Sequence, residues 1–182
     1  MFACKCYFRQ FFSLAAAFLF LGFLAANAQD ETLADIRYRE DYERTQRIFK
    51  INQPVKRADQ ILLLYKDRAD LDPRLREYTD SLFVQDMQNL MKQKNFVALR
   101  GLCDRAIKLR PKFGEAYFFL GVVLKNEKKI DEAMNAFAKC HLIKNPFQIQ
   151  AKQQLDMTYR AVNKGSIVGQ DKLINNARKE LK

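Results

Sequence analysis

The sequence has no tryptophan and a single histidine, and only six glycines and four prolines in 182 residues. Each scarcity closes off a class of protein. One histidine cannot build a multi-histidine zinc site, and it leaves a single imidazole for any acid–base or nucleophilic chemistry. Few glycines, and no Gly-rich run between a strand and a helix, exclude a backbone cradle for phosphate, and neither an HExxH motif nor an acidic calcium loop is present. Sparse Gly and Pro, with little alternation of Val, Ile or Thr with polar residues, leave no turn-dense β pattern. Long apolar runs are also missing beyond the first 28 residues. The longest informative one, Tyr117 to Leu124 in YFFLGVVLKNEKK, is too short for the roughly 20 residues that span a bilayer, so protein must bury it.

What remains is 48% hydrophobic and 29% charged, the balance of one globular domain with solvated faces. Leu, Ala, Lys, Gln, Glu and Arg dominate, which predicts an all-α chain. The N-terminus reads differently: Lys5 and Arg9 precede the apolar FFSLAAAFLFLGFL, and Ala26-Asn27-Ala28 supplies a small-x-small site. This is the pattern of a signal peptide over residues 1–28 with cleavage ahead of Gln29, and the alternative is an uncleaved membrane anchor. Cys4 and Cys6 would leave with that peptide. Cys103 and Cys140 then remain, both at apolar helix positions, where two separate core thiols are favoured over a disulfide.

Lys and Arg number 32 against 21 Asp and Glu, a formal charge of +11; without Lys5 and Arg9 it is +9. Acids are interleaved with the bases, as in RYREDYER, so solvated helix faces are expected. An acidic partner or membrane surface comes second, and an export signal argues against nucleic acid.

An internal period is present. Aligning FVALRGLCDRAIKLRP with IDEAMNAFAKCHLIKNP sets Phe96 over Ile130, Cys103 over Phe137 and Ala106 over Cys140, each 34 residues apart. In the second unit Tyr117, Leu120, Gly121 and Leu124 follow one helix face, and Ile130, Ala133, Met134 and Phe137 repeat it. KNEKK separates the two helices, and Asp131 is expected as the N-cap of the second. Gly121, which costs about 1 kcal/mol of helix propensity against Ala, is expected to let the helices approach closely.

These residues resemble a tetratricopeptide repeat, whose 34-residue hairpin carries an aromatic, Leu-Gly, then Ala, an aromatic, and Pro. Residues 114–147 match through Tyr117, Leu120, Gly121, Ala133 and Phe137, while Leu124 and Cys140 replace the usual Tyr and Ala, and Pro146 falls one position late. Residues 80–113 are more degenerate, with Phe96, Ala106 and Pro111 in place but Asp86-Met87 where Leu-Gly is expected. Residues 29–79 read as a preceding hairpin broken at Gln53-Pro54, 148–164 as a capping helix on Ala151, Leu155, Tyr159 and Val162, and 165–182 as a basic tail with Leu173, Ile174, Ala177 and Leu181 on one side. The resemblance thus implies antiparallel helical hairpins stacked as a short solenoid with a C-terminal cap.

It also implies a mode of action. The family's groove is lined by outward positions of each hairpin's first helix, here Val84, Gln88 and Met91, then Phe118, Val122 and Lys125. The Lys, Arg and Asn clamp of members that bind chaperone tails is not expected. An apolar groove of this kind suits a peptide or helix of a partner protein, unless residues 33–71 or 171–182 fill it. His141 beside Cys140 lacks the ligand count of a metal site, and Cys103 has only helix-surface Arg100 and Arg105 nearby. The expectation is therefore a non-enzymatic interaction adaptor without cofactor or metal, exported to the periplasm or extracellular space. The alternative is a membrane-anchored or membrane-surface accessory protein.

Overall fold

The computed structural model describes residues 32–182, so the leader expected over residues 1–28 lies outside the described residues. Among them the secondary structure is α-helical with no strand. The helices are α1 (Leu33–Phe49), α2 (Pro54–Asp67), α3 (Pro73–Lys92), α4 (Phe96–Leu109), α5 (Gly114–Asn126), α6 (Ile130–Leu142), α7 (Gln148–Val162) and α8 (Gln170–Glu180). The chain divides into two compact units at Glu40/Asp41. Within the first, Thr32 and Asp35 close a capping box at the start of α1: the Asp35 amide donates to Thr32 Oγ1 at 3.2 Å, and the Asp35 carboxylate accepts from the Thr32 amide at 3.1 Å.

In the second unit successive helices pack antiparallel as stacked hairpins, a helical repeat-like arrangement. Proline positions several starts. Pro54 and Pro73 occupy the first turns of α2 and α3, where the missing N–H leaves no bond unmade, and Asp72 caps α3 by accepting from the Arg74 amide at 2.9 Å. Because α3 begins at Pro73, the repeat boundary expected at residue 80 falls inside this 20-residue helix. Asp131 is likewise not a cap. Lys129 holds the position before α6, and Asp131 and Glu132 sit in the first turn, where their charge complements the helix dipole.

The 34-residue period is written into the backbone as well as the side chains. After α3 the amide of Asn95 bonds to the Leu90 carbonyl, and after α5 that of Lys129 bonds to Leu124, both at 2.9 Å. The preceding Lys94 and Lys128 are left-handed, with φ of 56° and 63°. This is the Schellman ending, here closed by lysine where glycine is usual. The same ending recurs after α7, where Lys164 is left-handed and the Gly165 amide reaches the Arg160 carbonyl at 2.8 Å. The expected tail is therefore a helix: α8 packs on α6, burying Ala177 and holding Leu173, Ile174 and Leu181 against the core.

Hairpin exits repeat too. Arg68 and Arg110 directly follow α2 and α4, and each reaches back to an aspartate on the first helix of its hairpin, Asp41 at 2.9 Å and Asp80 at 3.0 Å. Arg110 also lies over the rings of Tyr65 and Phe113, and Tyr65 donates to Asp80.

Two hydrophobic clusters form the core, and α5 serves both. Ala116, Phe119 and Val123 enter the first, whereas Tyr117 and Leu124 enter the second. The apolarity of residues 117–124 follows directly, since a helix buried on two sides has little room for polar groups.

Candidate functional site

The six residues expected to line a groove occupy matched places. Val84, Gln88 and Met91 lie at i, i+4 and i+7 on α3, and Phe118, Val122 and Lys125 repeat that spacing on α5. Gln88 and the four apolar members are half-buried, and Lys125 is exposed. Val84, Met91 and Phe118 pack at the margin of the first cluster, and Val122 at the margin of the second.

Phe118 is tied down more firmly than its neighbours. Its ring stacks on Phe147 at 4.7 Å between centroids and meets Phe119 edge-on at 5.5 Å, with Phe137 at 6.1 Å. Phe147 comes from the turn before α7, a segment that the sequence reading did not nominate to cover this face. That turn is organised by Asn145, whose side-chain amide donates to the carbonyls of Cys140 at 2.8 Å and Ile143 at 2.7 Å while its oxygen accepts from the Phe147 amide at 2.8 Å. Lys125 points the same way and donates to Gln154 on α7 at 3.2 Å. The open part of the face is therefore Val84, Gln88, Met91 and Val122.

Beside it lies a buried ion pair. Asp86 is fully buried and receives both Arg57 Nε at 2.9 Å and Nη2 at 2.5 Å, and Arg57 also donates to the Ile51 carbonyl at 3.2 Å. Desolvation pushes the Asp86 carboxyl above the usual range, and the guanidinium opposes that shift. These contacts fix α2 against the buried side of α3, opposite in kind to the apolar contacts around α5.

Among the described residues Cys103 and Cys140 are both free thiols. Cys103 is completely buried with its sulfur 3.9 Å from that of Met87, and burial raises its thiol pKa steeply. Cys140 is pushed up to about 12 by desolvation, so the thiol form prevails at neutral pH. His141 sits half-buried in the last turn of α6, and its Nδ1 has no hydrogen-bond partner.

No family model matches this chain, and no curated protein or solved structure matches it either.

Proposed function

We infer that this protein is an exported, non-enzymatic helical-repeat adaptor of the tetratricopeptide kind, which holds a peptide or helix of a partner protein in the periplasm or extracellular space in support of a cell-envelope complex. The reading is carried by the repeated first-helix face, where Val84, Met91 and Val122 stay half-buried at positions 34-periodic with one another's neighbours and present apolar surface between polar residues. Phe118 supports that face from behind through its stack on Phe147 and does not serve as a free contact.

The test places a photo-crosslinking residue at Met91 or Val122 of the full chain in its native envelope. A single polypeptide captured from both positions, and lost when Val84→Asp is added, is the expected result. Helical content should survive that change, because Val84 lies at the margin of the core. Lipid adducts in place of a polypeptide, together with a mature chain whose mass retains Met1, would favour the membrane-surface reading and overturn the adaptor.

A further inference from the structure

A second surface lies on the other helices of the hairpins, away from the first-helix face. Between α2 and α4 runs a cleft of about 600 Å³, floored by Leu62 and flanked by Leu63 and Leu109, with Lys66, Arg105 and Lys108 at its rim. Leu63 is 45% and Leu109 40% exposed, and Leu63 stands outward although Ile61, Leu62, Leu64 and Tyr65 on either side of it are buried in the core. Large aliphatic side chains left outward beside a concavity mark a place where something apolar rests.

The charge of the rim says what that something carries. Asp59 is the acid lining this cleft, and its carboxylate is engaged by Arg105 at 2.7 Å. Lys66 and Lys108 have no acidic partner among the described residues. An adjoining cleft of about 570 Å³, also touching Asp59, adds Arg47 and Lys56 to the cationic border. A second copy of the chain would bring an equally basic rim to face this one, at a formal charge of +9 per chain without residues 1–28, and like charges oppose that pairing. A recessed groove between two helices matches the ridge of a third helix better than a flat lipid surface, which needs apolar side chains that protrude.

We propose that the α2–α4 cleft docks an acidic amphipathic helix of a partner protein. Leucine-like residues at i, i+3, i+4 and i+7 of that helix enter between Leu63 and Leu109, and flanking Glu or Asp residues meet Lys66 and Lys108. The site is independent of the first-helix face, so either can fail without the other.

The probe is an acetylated 14-residue peptide of Glu and Leu with that spacing, titrated into the full chain with ¹³C-labelled leucine methyls. Saturable shifts should be confined to the methyls of Leu62, Leu63 and Leu109, and affinity should fall at least tenfold in Leu63→Glu and again in the Lys66→Glu/Lys108→Glu double variant, which leaves the apolar floor intact. Raised salt should weaken binding in step with the charges removed. No shift at these methyls, equal binding of the Lys-for-Glu peptide, or shifts only at Leu methyls outside α2 and α4 would overturn the proposal. So would concentration-dependent dimerisation abolished by Leu63→Glu, or co-sedimentation with phosphatidylglycerol vesicles abolished by the same change.

Discussion

The hairpins α3–α4 and α5–α6 share the backbone of their turns and differ in how they are held. Where α5 places Gly121, the ring of Phe137 on α6 lies so close that a Cβ would come within 2.6 Å of it. Thirty-four residues earlier the sizes are exchanged: Met87 is the large member and Cys103 the small one, with their sulfurs 3.9 Å apart. The same inversion of means occurs at the exits. Asp80 and Arg110 clamp the earlier hairpin by charge, whereas Gly114 leaves room for Asn145, whose amide does the clamping in the later one. And where Leu120 packs between both clusters, Asp86 holds Arg57. A repeat position prescribes total volume and a closed set of bonds, and it leaves open which residue supplies them.

The ion pair offers the largest lever on that comparison. Asp86→Ala strands a mostly buried guanidinium and is expected to lower unfolding free energy by about 3 to 5 kcal/mol, while Leu120→Ala at the aligned position should lose about 2 kcal/mol. Converting the pair together, Asp86→Leu with Arg57→Met, should restore most of the loss; urea titrations followed by far-ultraviolet circular dichroism read all of these. If the double variant stays as unstable as Asp86→Ala, the two hairpins are not interchangeable there.

Exchange of sizes gives the next largest effect. Gly121→Met drives a side chain into Phe137 and should cost about 1 to 3 kcal/mol, and adding Phe137→Cys should bring the hairpin back to within about 1.5 kcal/mol of the starting protein, because the pair then copies Met87 and Cys103. Additive losses in this cycle would break the equivalence.

The smallest test concerns the shared turn. Lys94→Gly and Lys128→Gly each relieve a left-handed lysine, and each should raise stability by less than about 1 kcal/mol. Equal increments are expected in the two hairpins, since both turns make the same bonds.

How much of this was legible in the sequence follows from chemical range. The all-helical fold, the closeness implied by Gly121 and the aligned burial of Cys103 with Phe137 and of Ala106 with Cys140 all depend on local spacing, which a sequence displays. The Thr32–Asp35 box was equally available as a T-x-x-D start and went unread. Other features depend on distant partners. Nothing near Asp86 in the chain announces Arg57, 29 residues away, and one apolar face on α5 gives no sign that Ala116, Phe119 and Val123 form another against a different cluster. Phe147 stands 34 residues after the buried Phe113, a match that the one-residue slip between Pro111 and Pro146 masked, so its stacking on Phe118 went unread. Order in residues 170–182 was hidden by high charge, since Ala177 is the one buried apolar residue there and the rest of the apolar contact comes from half-covered Leu173, Ile174 and Leu181.

Helix α5, with one side in each cluster, makes the hairpins interdependent. Opening either cluster strips one wall from the other, so the two should melt together, and hydrogen exchange should report one shared opening free energy where separable repeats would report two. A shortened version of the chain that keeps residues 114–126 but discards either neighbour would expose half of that helix to water.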